Sequence, residues 1–379
     1  MTPVPAMPSE TRRAFRTRLA AWFARRRRPF PWRRRRTPYR VWISELMLQQ
    51  TRADQALPYY ERFLAKFPNV AALARASRRE VLKAWEGLGY YARARNAHDT
   101  ARLLAGRGGR FPRTYEGLRA LPGVGPYTAA AVGSLAFGLD TAVVDGNVAR
   151  VLSRVMAFGG DPGAARSRTL LQSWAQALLV PGRAGFCNEA VMELGAVCCT
   201  PRNPRCGECP LRAVCRAFAE GRPESYPRPK RRRPLPHKVV GAAVVTDRRG
   251  RILIARRKET SMLGGLWEFP GGTLEKGETM RECIARELEE ELGIRVEVGP
   301  RLVVVRHAYS HFTIALHTHW ARIVKGRPRA IHCAAFRWVR LRDLRRFPFP
   351  RADVEILQRL EATGGVFPRV GRKGAARVP

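Results

Sequence analysis

Acidic residues are scarce in this chain. Only 31 Asp and Glu stand against 70 Lys and Arg, a formal net charge of +39 over 379 residues. Arg25 to Arg28, Arg33 to Arg36 and Lys230 to Arg233 are runs of bare positive charge. A solvated Arg-rich surface is the bland alternative; a polyanion partner, most simply nucleic acid, accounts better for an imbalance this large. Long apolar runs are also missing, and none reaches the roughly 18 to 20 residues that span a bilayer. The N-terminus has no apolar signal stretch, so the expected compartment is the bacterial cytoplasm, at the nucleoid. Disulfides are disfavoured there. No repeat of solenoid period is present, which sets aside a stacked-repeat architecture.

What is present divides at a change of texture. Up to about residue 220 the apolar spacing is near 3.6, as in VWISELMLQQTRADQALPYYERFLAKF and REVLKAWEGLGYYARARNAHDTARLLA. The first helix is expected around Ala14 to Arg25. PESYPRPKRRRPLPHK at 223–238 reads as an extended basic linker. Beyond it, KVVGAAVVTD and GRILIARR read as strands, and RLVVVRHAYSHFTIALHTHWARIV as two more. A strong helix, Thr279 to Leu292, lies between the two pairs. The expected organisation is an all-α domain over 1–222, the linker, an α+β domain over 239–361 and a disordered basic tail over 362–379.

Cys199, Cys206, Cys209 and Cys215 are spaced C-x6-C-x2-C-x5-C. Four thiolates in one loop can wrap a tetrahedral metal or a 4Fe–4S cube, and spacing alone leaves zinc and iron–sulfur both open. Cys198 is read as packing. LRALPGVGPYTAAAVGSLAF joins Leu121-Pro-Gly-Val-Gly-Pro-Tyr-Thr to an Ala-rich helix. Gly123 and Gly125 permit a tight turn, and the following helix N-terminus offers free N–H groups to a phosphate. Twenty residues on, VVDGNVARV sets Asp145 before Gly146 and Asn147, a helix-capping position.

Hairpin, Asp and cysteine loop together resemble the endonuclease III superfamily of base-excision glycosylases. PWRRRRTPYRVWISELMLQQTR, GLGYYARARN and FCNEAVMELGAVCC resemble its MutY branch. The resemblance implies a helix–hairpin–helix glycosylase with a 4Fe–4S cluster on the four cysteines. It would act as a monomer on double-stranded DNA, removing adenine opposite 8-oxoguanine or guanine. Glu45 matches the family's catalytic acid, protonating adenine N7, and Asp145 its second carboxylate, stabilising charge that develops on the sugar. Gln49 and Gln50 match residues wedged into the duplex. Tyr127 matches a position in the adenine pocket, and Glu189 a residue reading the adenine edge. Asn147 is counted with the DNA contacts. Members that cleave the strand carry Lys where this chain has Tyr127, so no Schiff-base lyase step is expected.

The scarce acids gather in one place. GGTLEKGETMRECIARELEEELGI, residues 271 to 294, holds seven glutamates and completes the Nudix box G-x5-E-x7-R-E-U-x-E-E-x-G-U. Glu287, Glu290 and Glu291 stand at i, i+3 and i+4, so their carboxylates are expected to converge on a hard cation such as Mg²⁺. In the resembled family this domain serves to recognise 8-oxoguanine, usually with a degraded box. RHAYSHFTI is similar to its Phe-Ser-His loop, with Tyr309 in place of Phe and Ser310 and His311 kept. Three readings of the intact box stand: a relic on a recognition module, an active pyrophosphatase toward oxidised dGTP, or a fold-stabilising cluster.

Overall fold

A computed structural model describes residues 6–228 and 234–365. The expected linker therefore falls partly, at 229–233, and the expected tail mostly, at 366–379, outside the described residues. Two compact units form: Met1–Arg75 with Asn96–Arg232, and Ala76–Arg95 with Arg233–Pro379.

The first unit is helical. Helix α1 (Ser9–Arg26) starts earlier than its apolar spacing suggested, behind Pro8, and buries Phe15, Leu19 and Phe23 on one stripe. Helix α2 (Pro38–Leu48) is set by Thr37, whose side chain accepts the Arg40 N–H, and by Pro38 in the first turn. It is buried at every position from Val41 to Met47. The long helical pattern of the sequence breaks after it, where Gln50 takes φ +58, and resumes at Ala53. Helices α4 (Pro126–Phe137), α5 (Gly146–Val155) and α6 (Ala184–Val197) complete the part that matters for chemistry. α6 crosses its neighbours closely because of two glycines. A Cβ at Gly185 would stand 2.7 Å from the Ser134 carbonyl oxygen of α4, and one at Gly195 2.6 Å from Asn147 Cβ of α5. Phe15, Leu19 and Phe23 pack with Val148, Leu152 and Leu194 in one core.

The second unit has the expected α+β texture. Strands β1 (His237–Val245), β2 (Ile252–Arg256), β3 (Trp267–Glu268), β4 (Gly271–Thr273), β5 (Arg295–Ala308), β6 (Thr313–Lys325) and β7 (Ala335–Val339) make two sheets, ordered β4-β1-β6-β5 and β3-β2-β7. β1 and β6 run parallel; the other pairs are antiparallel. Helix α7 (Met280–Leu292) is closed by a Thr279/Glu282 capping box and by Gly293 at φ +66. Its Ile284, Leu288 and Leu292 pack on Ala243, Val245 and Ala321. Helix α8 (Arg351–Ala362) packs Ile356, Leu357 and Leu360 with Ile314, Leu316 and Trp320.

Residues 76–95 join this second unit although the sequence places them amid helices. Helix α3 (Arg78–Ala84) has its own Ser77/Glu80 capping box. Lys83 Nζ donates to the Phe347 carbonyl at 3.2 Å, the Phe349 N–H to Glu86 Oε1 at 2.8 Å, and Arg95 Nη1 to the Gly264 carbonyl at 2.8 Å. Gly87 and Gly89, at φ +96 and +73, break the helical pattern there. Among the described residues no helix is long and apolar enough to cross a membrane.

Candidate active site and cofactor loop

A pocket of about 820 Å³ in the first unit is lined by Glu45, Gln49, Gln50, Tyr127, Asp145, Asn147 and Glu189. Seven of the residues singled out by sequence meet there from four helices or their ends. Glu45, in the buried stretch of α2, is 3% exposed. It accepts a 2.6 Å hydrogen bond from the Tyr127 hydroxyl at the start of α4. Burial pushes the Glu45 carboxyl up to about 7 against that bond, and the charges of Glu189 and Asp145 push the same way as burial. Asp145 caps α5. Its Oδ1 accepts the Val148 N–H at 2.7 Å and its Oδ2 the Asn147 side-chain amide at 2.9 Å. Burial raises the Asp145 carboxyl, and these N–H donors oppose it. The two carboxyls thus sit in different settings, one dry and the other solvated by N–H groups at a helix N-terminus.

Gln49 ends α2 and donates from Nε2 to Thr128 Oγ1 at 3.0 Å, while Gln50 is exposed in its left-handed conformation. The hairpin glycines differ. Gly123 needs its φ of +70 and its missing Cβ, which would stand 2.4 Å from Asn96. Gly125 has an ordinary φ of −78 and caps α4 with open space around it.

The arginine run before α2 carries what sequence reading missed. Arg28 and Arg33 bond to Glu193 at 2.7 and 2.9 Å, and Arg36 bonds to Glu189 at 2.6 Å. Glu189 and Glu193 lie one turn apart on α6, buried to 6% and 2% side-chain exposure. Part of a run that looked like a polyanion footprint is therefore internal structure. The signal was present: E-x3-E in an otherwise apolar segment needs buried cations.

α5 ties the pocket to the cysteine loop. Asn147 Oδ1 accepts from Arg150 Nη2 at 2.9 Å; Arg150 Nε donates to the Cys199 carbonyl at 2.8 Å. Arg154, 2% exposed, donates to Cys199 Sγ at 3.3 Å. Cys199, Cys206, Cys209 and Cys215 line one enclosed space, with Cys198 beside them. Four cysteine sulfurs around a common space are a donor set that fits a thiolate-held metal or iron–sulfur cluster. Arg154 adds a charge-assisted N–H···S bond of the kind that tunes such a cluster.

In the second unit Tyr309, Ser310 and His311 form the tip between β5 and β6. Tyr309 is half-buried against His307 and Phe312, with ring centroids 4.6 and 5.0 Å away. Ser310 hydrogen-bonds the hydroxyl of Tyr90, an exposed residue in the left-handed region that sequence reading passed over. On α7 the expected convergence of Glu287, Glu290 and Glu291 takes another form. Arg286 supplies the cation, bonding Glu278 at 2.6 Å, Glu287 at 3.2 Å and Glu290 at 3.3 Å. Glu291 stands apart: one of its carboxyl oxygens is buried without a hydrogen-bond partner, and burial with nearby Glu268 pushes it up to about 8.

Three family models match the chain. They are an HhH-GPD superfamily base excision DNA repair protein over 43–177, the iron–sulfur binding domain of endonuclease III over 199–215, and a NUDIX domain over 241–359. Adenine DNA glycosylase of Mus musculus is 38% identical over 79% of this chain and 69% of its own length; that of Homo sapiens is 36% identical over 86% and 70%. The chain belongs to the adenine DNA glycosylases. It is a DNA N-glycosylase of base excision repair, a hydrolase with an iron–sulfur cluster loop and a C-terminal Nudix-like domain. A thermostable thymine-DNA glycosylase superposes with a TM-score of 0.51 at 32% identity, covering 56% of this glycosylase and 98% of that chain. The shared part corresponds in size to the helical unit that holds the pocket.

Proposed function

We propose that this glycosylase hydrolyses the N-glycosidic bond of adenine paired with 8-oxoguanine or guanine in duplex DNA, without lyase chemistry. The observation that carries the reading is the buried Glu45, bonded to Tyr127, in one pocket with Asp145 and Glu189. A carboxyl pushed up to about 7 keeps a substantial protonated fraction near neutral pH, where an ordinary glutamate has almost none, and can protonate adenine N7. As the C1′–N9 bond breaks, the electron pair leaves with the base, and Asp145 stabilises the positive charge left on the sugar. Water adds to C1′ and gives up a proton. Glu189, held by Arg36 and Arg33, has the position to read the adenine edge once the base is flipped into the pocket. Gln49, Gln50 and Asn147 at the rim would contact the duplex, as would Gly123 and Gly125 of the hairpin. Tyr127 offers no amine, so no Schiff base forms. Cys199, Cys206, Cys209 and Cys215 would hold a 4Fe–4S cluster that fixes the loop behind α5. Tyr309, Ser310 and His311 are the proposed reader of the opposing 8-oxoguanine, and the protein acts as a monomer.

The test is single-turnover adenine release from a duplex with A opposite 8-oxoguanine, with alkali to reveal the abasic site. Wild type should release adenine; Glu45→Gln should lose about 10²- to 10⁴-fold, the usual worth of a general acid. Ser310→Ala with His311→Ala should narrow the preference for 8-oxoguanine over guanine. No release from wild type with its cluster intact overturns the reading.

A second reading concerns the complete Nudix box. The unpartnered Glu291 oxygen, near Glu287 and Glu268, favours an Mg²⁺-dependent pyrophosphatase held by Glu287, Glu290 and Glu291. Mg²⁺-dependent release of pyrophosphate and the nucleoside monophosphate from oxidised dGTP, abolished by Glu290→Gln, would establish it. Absence of release would leave the box as a relic on a recognition module or as a fold-stabilising cluster of Arg286 and its glutamates.

A further inference from the structure

Four of the seven histidines, His307, His311, His317 and His319, lie on the β5–β6 hairpin. Two of them share a face with a row of arginines. His317 and His319 are two apart on β6, so both point to the α7 side of the sheet. The register sets Arg301 of β5 opposite His319, and Arg306 opposite Ala315, two residues from His317. Arg281, in the first turn of α7, acts on His319 from above. β1, the other neighbour of β6, sets Val239, Gly241 and Ala243 beside Ala315, His317 and His319, with Val245 beyond one end and His237, bonded to Thr313 Oγ1 at 2.8 Å, beyond the other. Arg281, Arg301 and Arg306 are exposed, and among the described residues none has a carboxylate within 4.0 Å. By contrast Arg286 and Arg295, close by in sequence, are ion-paired. A chain that pairs so many internal arginines has left these open beside two half-buried imidazoles.

We propose that this face of β5–β6, built from Arg281, Arg301, Arg306, His317 and His319, is a phosphate track for duplex DNA, and that the duplex binds with uptake of protons. The inference rests on the proposed reading of the pocket only in that both use one duplex. Charge complementarity selects the occupant: five basic side chains, no acid, and a row from Ala315 to His319 about 13 Å long at strand rise.

The proton coupling follows from the same geometry. His319 Nδ1 lies 3.1 Å from the Gly299 carbonyl, an oxygen that can only accept, so the neutral ring keeps its proton on Nδ1. Nε2 is then the atom that gains a proton when the ring charges. In the free protein burial lowers both imidazoles below their ordinary value, opposed at His319 by the Gly299 bond. Arg281 and Arg301 push His319 further down, and Arg301, His319 and Arg306 do so for His317. A phosphodiester arriving between them reverses that repulsion and raises both, so affinity should rise as pH falls from 8 to 5.5.

Binding is measured with the full-length protein carrying Glu45→Gln, which slows turnover, and the same 8-oxoguanine duplex over a series of salt concentrations and pH values. Arg301→Ala with Arg306→Ala should make the plot of log K against log salt shallower by about 1 to 2, since each phosphate contact contributes about 0.9. His317→Gln with His319→Gln should flatten the pH dependence relative to the parent while leaving circular dichroism and melting unchanged. An unchanged salt slope in the folded arginine variant overturns the track. An unchanged pH dependence in the folded histidine variant overturns the proton uptake. Adenine release at saturating protein, with Glu45 restored, separates the two proposals. If wild type releases adenine and the salt slopes are unmoved, only the track fails; if wild type releases none, the pocket reading fails by itself.

Discussion

Tyr127 donates to Glu45, and this one bond opposes the burial that keeps the carboxyl protonated. Its removal has a predictable sign. In Tyr127→Phe the ionised form of Glu45 loses a donor, so its pKa moves further up. An acid that must be protonated to act stays active to higher pH. The alkaline limb of single-turnover adenine release, near 7 in wild type, should therefore move upward in Tyr127→Phe, whatever happens to the maximal rate. A limb that stays or moves down would mean that the titrating group is not the one bonded to Tyr127. Asp145 is the complement. It sits at a helix N-terminus with N–H donors on both oxygens, so the same burial costs its charge less.

At the scale of elements, α6 is the strut of the site. Its two glutamates are its only buried charges, and the segment Arg28 to Arg36 closes over them. Glu193→Ala would leave the Arg33 guanidinium, 11% exposed, without its shorter carboxylate partner. Breaking a buried pair from one side costs about 3 to 5 kcal/mol. Chemical denaturation should show a loss in that range, with Glu189 and the pocket floor loosened in hydrogen exchange. A loss below about 1 kcal/mol would show that solvent reaches these pairs. α5 has the other structural duty. Asp145 stands at its start and Arg154 near its end, so one rigid helix of ten residues spans the distance from carboxylate to cysteine loop.

At the scale of the whole molecule, the segment 76–95 changes how the C-terminal domain can be studied. Leu82, Trp85 and Tyr91 are buried, and Lys83, Glu86 and Arg95 bond to residues 347, 349 and 264. A chain cut after residue 228 would strip these partners away and expose the apolar side of α3. Such a truncation should melt at lower temperature and aggregate more readily than the full chain, as measured by thermal scanning with light scattering. Equal stability would show that 76–95 stands without the second unit. Point changes at Ser310 and His311 are the cleaner probe of recognition for the same reason.

The residues themselves determined a good deal. Period 3.6 before residue 220 and strand texture after it marked a helical and an α+β part, because apolar spacing is imposed locally by which face must be buried. The hairpin, the cysteine spacing and the Nudix box are contiguous strings, and each was legible as a string. Glu45 was legible through its match to the family's catalytic acid and as a lone acid among Ile43, Leu46, Met47 and Leu48, which a function explains better than a surface helix face does. What the strings left undecided involved partners distant in sequence. That Arg28, Arg33 and Arg36 serve Glu189 and Glu193 depends on contacts across some 150 to 165 residues, which no local pattern encodes. That 76–95 packs with the C-terminal residues depends on surfaces formed 170 to 265 positions away. The pairing of His319 with Arg301 depends on β-register, and one residue of slip would turn those side chains to the opposite face. Local chemistry chose the elements; long-range closure, which is decided only when the elements pack, chose the partners of each charge.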